Sequence, residues 1–165
     1  MIHTPLFCFG SLMDADVLRC VLDRKINDLS LEDATLGGYR VACLPHESYP
    51  LLVRQAGQMA SGKLIHGLSE EDFARIVFFE GEEYQVSACH VSTQRSTRLP
   101  ARFFDEGIMP PAESRQWSFE RWQVNDKAYM LRQSAVYMSL YGKMSAAEAD
   151  VYWQNYSEPQ ATLAS

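Results

Sequence analysis

Two short stretches decide how this chain is read: Phe7-Cys8-Phe9-Gly10-Ser11-Leu12 and Phe78-Phe79-Glu80-Gly81-Glu82-Glu83-Tyr84. In the first, an apolar strand runs into a Gly-Ser turn close to the start of the chain. Glycine lets the backbone turn sharply and approach a ligand closely. If Leu12 and Met13 lead into a helix near Asp14, the N–H groups of Ser11 and Leu12 point out of a strand end, where they can hold a carboxylate or a developing oxyanion. The same residues also read as a plain tight turn. In the second stretch, the carboxylate of Glu80 follows Val77, Phe78 and Phe79. Desolvation there would raise its pKa and suit it to moving protons. The alternative is a surface carboxylate at a helix-to-strand turn, beside solvated Glu82 and Glu83.

The 165 residues suffice for one domain with a sizeable core. Apolar content of 47% and charged content of 22% are those of an ordinary soluble globular protein. A net charge of −6 argues against nucleic-acid and anionic-membrane partners, both of which need a basic surface. No apolar run is long enough to span a bilayer, and the start, Met1-Ile2-His3-Thr4-Pro5, lacks the pattern of a signal peptide. Cys8, Cys20, Cys43 and Cys89 lie singly, with no C-x-x-C pair, and read as reduced, mostly buried thiols of a cytoplasmic protein. His3, His46, His66 and His90 share no metal or triad spacing, and Cys43 with His46 makes only a lone pair of ligands. Ser11 is not in a nucleophile elbow. These residues imply chemistry without a metal and without a cofactor.

Along the chain, Leu6 to Phe9 reads as a strand, and Asp14 caps a helix with Val17, Leu18, Val21 and Leu22 on one face. Residues 36–44 read as a turn and then a strand, 49–53 as another strand, and 60–68 as a third, less regular one. Ser69-Glu70-Glu71-Asp72 opens a short helix through Phe73, Ile76 and Val77. Strands at 83–92 and 98–104 follow, then a loop with Gly107, Pro110 and Pro111. Ser118, with Trp117 and Trp122 as a hydrophobic staple, opens a helix running to about Tyr141 and stopping at Gly142. Its Trp117, Trp122, Tyr129, Val136 and Leu140 fall at helical spacing and predict core packing. Ser145 opens a short last helix, and the tail after Ser157 reads as frayed. The pattern predicts one α+β domain over residues 1–157, with a core at about 5–110, a helical extension at about 117–156 and a tail at 158–165.

The motifs in this order resemble the gamma-glutamylcyclotransferase-like superfamily, including its plant avirulence-induced branch. That family opens with a strand ending in Tyr-Gly-Ser-Leu or Tyr-Gly-Thr-Leu, here Phe9-Gly10-Ser11-Leu12. Gly-Tyr-Arg and Tyr-Pro follow, here Gly38-Tyr39-Arg40 and Tyr49-Pro50, and then an aromatic-Glu-Gly step and a Tyr, here Phe79-Glu80-Gly81 and Tyr84. Order and spacing agree from residue 5 to about 93.

The resemblance implies a small, twisted, mixed-strand β-barrel flanked by helices, with the site at the barrel mouth. It implies Glu80 as the acid/base. It implies Phe9, Gly10, Ser11, Leu12, Tyr39, Tyr49 and Tyr84 as substrate-binding residues. The implied reaction closes the glutamyl group of a γ-glutamyl amine, amino acid or peptide to 5-oxoproline and releases the amine, a transferase- or lyase-type step with no cofactor. The alternative is a member of the same fold that binds a small ligand or a partner without turnover. The sequence leaves monomer and homodimer open. Three departures stand out. Phe9 replaces the usual Tyr, Val77 stands where an Asp is common, and Arg102-Phe103-Phe104 lacks a Tyr that many relatives turn toward the site. The segment from Trp117 to Tyr141 looks like an extension seen in some bacterial relatives, with no role implied by the motif.

Overall fold

A computed structural model describes residues 4–43, 50–81, 84–105 and 114–163, with side chains as far as Gln154. The elements are β1 (Leu6–Cys8), α1 (Ala15–Leu22), β2 (Ser30–Cys43), β3 (Pro50–His66), α2 (Glu70–Glu80), β4 (Gln85–Val91), β5 (Leu99–Asp105), β6 (Arg115–Gln116), α3 (Phe119–Asn125), α4 (Lys127–Met138) and α5 (Ala146–Leu163). One six-stranded sheet has the order β4-β5-β1-β3-β2-β6. It is mixed, because β1 runs parallel to β5 while the other neighbours are antiparallel. The sheet curls into part of a barrel. Thr35 of β2 and Ser92, just past β4, exchange both backbone hydrogen bonds at 2.9 Å.

The short central strand divides the core, since successive side chains point to opposite faces. Phe7 joins Ala34, Leu36, Val41, Ala60, Leu64, Val91, Ala101 and Phe103 inside the curl. Leu6 and Cys8 face the helices, packing with Val17, Leu18, Val21, Ile76, Tyr137, Met138 and Ala149. Gly62 of β3 makes room for Phe7: a Cβ there would stand 2.7 Å from the Phe7 ring and 2.3 Å from the Cys8 carbonyl oxygen.

Two of the strands run longer than the sequence predicts, and a short sixth, β6, lies beyond the predicted set. Residues 49–53 and 60–68 are not separate strands; from Pro50 to His66 they form one strand, β3. The residues around Gly37-Gly38 are a bulge within β2 rather than a turn before it. There Gly37 pairs with Met59 and Tyr39 with Arg54, so residues 55–58 oppose Gly38 alone. Glycines that punctuate the sequence are here absorbed into a bent hairpin, Gly38 and Gly57 both at positive φ.

The helical third also departs from expectation. The segment after Ser118 breaks at Asp126 into α3 and α4, and α5 continues past Ser157 to Leu163. Asn125 and Asp126 are poor helix formers, and Gln123 and Lys127 on either side are held by α1. Gln123 Nε2 donates to Asp14 Oδ2 at 3.0 Å, and Lys127 Nζ lies 2.9 Å from Asp14 Oδ2 and 2.7 Å from Asp16 Oδ2. The break shifts the buried face of α4 to Gln133, Ser134, Tyr137 and Met138, leaving Tyr129 exposed. The Trp117–Trp122 staple does form, with ring centroids 6.3 Å apart. Cys8 is buried, whereas Cys20, Cys43 and Cys89 are only half-buried; all four are free. No helix among the described residues is long and apolar enough to cross a membrane.

Helix α2 is fixed at its start by a buried carboxylate. Asp72, 2% exposed, accepts from the Ser69 amide at 2.9 Å while Ser69 Oγ accepts from the Asp72 amide at 3.0 Å, a full capping box. Arg24 clamps the same carboxylate with two bonds, Nε to Oδ1 at 2.8 Å and Nη2 to Oδ2 at 2.6 Å. The Arg24 bonds are the main reason that the Asp72 carboxyl sits below the usual carboxylate range; burial opposes them and Ser69 assists. A lowered carboxyl stabilises the fold above the unfolded pKa, and that share is lost as pH falls through the folded value. Asp72→Asn is therefore expected to cost about 2 kcal/mol at neutral pH, less than a fully buried pair because Arg24 is partly solvated. Urea titrations across pH check this. The gap between the native chain and the variant should be widest at neutral pH and shrink once pH drops below about 4.

Candidate functional site

The Gly10 backbone leaves β1 and enters a single 3-10 turn, Ser11–Met13, before Asp14 caps α1. The first internal bond of that turn runs from the Met13 amide to the Gly10 carbonyl at 3.0 Å. The amides of Ser11 and Leu12 precede it, so the turn does not consume them. Asp14 is 4% exposed and accepts from the amides of Asp16 (2.9 Å) and Val17 (3.3 Å). Burial alone would raise its carboxyl, but the bonds from Gln123, Lys127 and Val17, with the Lys127 charge, hold it below the usual range. The turn is thereby pinned from behind.

This turn forms one wall of a cavity of about 270 Å³, a size that suits a small amino-acid derivative. Phe9, Gly10, Ser11, Leu12, Glu80 and Tyr84 all line it. Glu80 is half-buried at the last position of α2. Gly81 ends that helix at φ 88° and ψ 176°, a conformation open essentially to glycine alone, with its amide donating to the Val77 carbonyl at 3.1 Å. Tyr84 packs edge-on against Phe104, ring centroids 6.4 Å apart. Cys8 also lines the cavity, but burial pushes its thiol well up and the negative charge of Glu80 adds to the shift. It remains a thiol and is no nucleophile.

Of the two other predicted binding residues, one is described away from this cavity and one lies outside the described residues. Tyr39 is not among its lining residues. Its ring meets Phe103 edge-on at 6.0 Å and carries the Arg54 guanidinium 5.8 Å from its centroid. The reason is topological, since β3 separates β2 from β1. Tyr49 lies outside the described residues, as do Glu82, Glu83, His46 and the loop with Gly107, Pro110 and Pro111. Pro50, next to Tyr49 in sequence, does line the cavity, and a Cβ on Gly10 would stand 2.7 Å from its Cγ.

A further wall, to which no role was assigned from the sequence, comes from α4 and α5: Met130, Gln133, Ser134, Tyr137, Asp150 and Trp153. Tyr137 Oη lies 2.8 Å from Asp150 Oδ1 and 3.2 Å from the Phe78 carbonyl oxygen. With one proton to give, it donates to the carboxylate, the shorter and charge-assisted contact. Burial, then the bond to Asp150 and its charge, raise the Tyr137 pKa, so the phenol stays protonated. A phenol thus enters the cavity from a helix, in a chain that has phenylalanines at 9, 103 and 104. The polar positions Gln133 and Ser134 interrupting an otherwise apolar helix face are the signal that could have found this wall. Among the described residues, no three His, Cys, Asp or Glu side chains are placed to share a metal ion.

Chemically, the cavity combines amide donors at a turn, a carboxylate on a rigid helix end and aromatic walls. The model of the family described as "Gamma-glutamyl cyclotransferase, AIG2-like" matches residues 6–124. The chain is 28% identical to AIG2-like protein A of Arabidopsis thaliana over 120 residues, covering 72% of this chain and 71% of that protein. It is 27% identical to AIG2-like protein C of the same plant over 124 residues, covering 74% and 70%. The fold is similar to the solution structure of an Arabidopsis thaliana protein, with a TM-score of 0.60 at 23% identity over 78% of this chain and 86% of that one. It is also similar to a solved gamma-glutamyl cyclotransferase, with a TM-score of 0.51 at 12% identity over 89% of this chain and 86% of that one. The strand-to-turn motif at Gly10, the helix ending in Glu80-Gly81 and the curled mixed sheet thus meet in a chain that belongs to the AIG2-like gamma-glutamyl cyclotransferase family.

Proposed function

We propose that this protein is a cofactor-independent gamma-glutamylcyclotransferase-type enzyme acting in the cytoplasm as one domain over residues 1–157. It closes the glutamyl group of a γ-glutamyl compound to 5-oxoproline. The observation that carries the reading is the shared cavity, which has the Ser11-Leu12 turn and Glu80 in its walls. The substrate brings its own nucleophile. Its α-amine nitrogen attacks the γ-carbonyl carbon, a five-membered ring forms, and the bond from that carbon to the leaving nitrogen breaks. Glu80 takes a proton from the α-ammonium and returns one to the leaving nitrogen. The Ser11 and Leu12 amides hold a glutamyl oxygen, whether the carboxylate or the developing oxyanion. Intramolecular attack supplies an effective molarity of up to ~10⁵ M or more when the folded conformer is held. One well-aimed amide donor adds ~10²–10³ in rate.

A second reading, a ligand-binding member without turnover, is favoured by Phe9, Phe103 and Phe104, where the family resemblance expects hydroxyls. Mass-spectrometric detection of 5-oxoproline separates the two, using a panel of γ-glutamyl amines, γ-glutamyl amino acids and glutathione. The native chain should form product, and Glu80→Gln, which keeps size but not basicity, should lose at least ~10²-fold in kcat. Full activity in that variant would refute the role of Glu80. Gly81→Ala tests the positioning of the same carboxylate. Its strained φ should lower stability by about 1–3 kcal/mol and reduce kcat by turning the end of α2. Thermal melts and product assays on one preparation check both effects.

A further inference from the structure

The Ser11 and Leu12 amides take their direction from bonds made on the far side of their own peptide units. In a planar trans peptide the N–H and the C=O point opposite ways, so holding one aims the other. The Gly10 carbonyl, which shares a peptide with the Ser11 amide, accepts from the Met13 amide at 3.0 Å. The Ser11 carbonyl, which shares a peptide with the Leu12 amide, accepts from the Asp14 amide at 3.0 Å. Asp14 is thus the last link. Its N–H orients the Leu12 peptide, and its carboxylate anchors the residue that supplies that N–H.

Two sets of partners hold the Asp14 carboxylate. Oδ1 accepts from the amides of Asp16 and Val17, the local bonds of an N-cap residue opening a helix. Oδ2 accepts from Gln123 Nε2 at 3.0 Å and lies 2.9 Å from Lys127 Nζ. These second partners come from the end of α3 and the start of α4. A cap needs only the first set. The second reaches across the chain to a carboxylate that is 4% exposed. Lys127 also lies 2.7 Å from Asp16 Oδ2. Arg19 provides a contrast, since it pairs with Asp16 on the more exposed face of the same helix. One acidic residue of α1 therefore has two cations, and only Lys127 continues to Asp14.

We propose that Asp14 is a positioning residue: through its carboxylate, Gln123 and Lys127 fix the aim of the Leu12 amide and of the glutamyl oxygen that this amide holds. The effect on rate rests on the cyclotransferase reading, whereas the effect on the amide rests on the hydrogen-bond geometry alone. Four variants of the full chain test it. Lys127→Met removes the charge and keeps an unbranched side chain, and Lys127→Arg returns a cation to Asp14 and Asp16. Asp14→Ser keeps a good N-cap but is too short to meet Gln123 and Lys127. Arg19→Met removes the other cation of Asp16 and leaves the partners of Asp14 in place. The readouts are the ¹H–¹⁵N resonance of the Leu12 amide, and kcat and KM for 5-oxoproline release from γ-glutamyl amines, γ-glutamyl amino acids and glutathione. Thermal melts on the same preparations confirm that each variant is folded.

Lys127→Met should move the Leu12 resonance and lower kcat/KM roughly 10-fold, a part of the ~10²–10³ that loss of a whole donor costs. Asp14→Ser should do the same. The double variant should fall no further than the weaker single variant, because both cut one path. Lys127→Arg should recover most of the loss, and Arg19→Met should stay near native in both readouts. A loss carried by KM supports a hold on the substrate carboxylate, and one carried by kcat supports a hold on the oxyanion. An unmoved Leu12 resonance in Lys127→Met overturns the proposal, as does an equal loss in Arg19→Met. A moved resonance with no 5-oxoproline from the native chain keeps the positioning of the amide and removes the cyclotransferase reading. Native rates in Lys127→Met and Asp14→Ser remove the positioning and leave the chemistry.

Discussion

The cavity depends on one buried carboxylate. Asp14 caps α1 immediately after the Gly10–Met13 turn and also receives Gln123 and Lys127 from the far side of the chain. A single side chain thus joins the wall that offers backbone amides to the helices that form the wall opposite. At 4% exposure, such a charge is tolerable only because every bond it can accept is supplied. The same contact explains why the helical third breaks where it does. The chain between Trp122 and Lys127 is held against α1 before α4 begins, and that rotation turns Ser134 and Tyr137 toward the cavity.

Asp72 plays a comparable part for α2. Its capping box and the Arg24 clamp fix the start of an eleven-residue helix whose last residue is Glu80. Ile76 and Phe78 lock the middle of that helix into the core. Gly81 then stops it abruptly. The Glu80 carboxylate thus sits on the last residue of a helix fixed at both ends, rather than on a loop. Both anchoring aspartates are pulled below the usual carboxylate range by hydrogen bonds that include those from cationic partners, whereas among the described residues lining the cavity with Glu80 and Asp150 none is Lys, Arg or His. The sequence contains both kinds of carboxylate. Their partners, supplied by distant segments, tell them apart.

That distinction marks what the sequence could and could not reveal. Local signals carried far: Asp14 and Ser69 as caps, the apolar face of α1, and the Gly-Ser-Leu and Glu-Gly motifs were all legible, because each is written within a few residues. The reach of β3 was not, since Gly62 looks like an interruption until the bulge against Gly38 and the packing of Phe7 over Gly62 are seen. The placement of Tyr39 was hidden for a similar reason. A motif residue reads as a site residue until strand order separates β2 from β1. The α4–α5 wall escaped most completely. Helical periodicity finds apolar stripes, and on this face Gln133 and Ser134 break the stripe between Met130 and Tyr137.

The division between walls also bears on how such a fold can change its substrate without changing its chemistry. Ring closure onto a γ-carbonyl asks for few groups, because the nucleophile is tethered to its target. On the proposed reaction, one turn and one carboxylate suffice, and both lie within residues 6–124, the span that matches the family. The described residues on the other side of the cavity come from helices beyond that span. Tyr137 joins the two halves. Its phenol touches the Phe78 carbonyl of the helix that carries Glu80 and gives its proton to Asp150 of the last helix. A phenol raised in pKa and held by a carboxylate is a poor proton donor to a reacting nitrogen but a firm strut between walls.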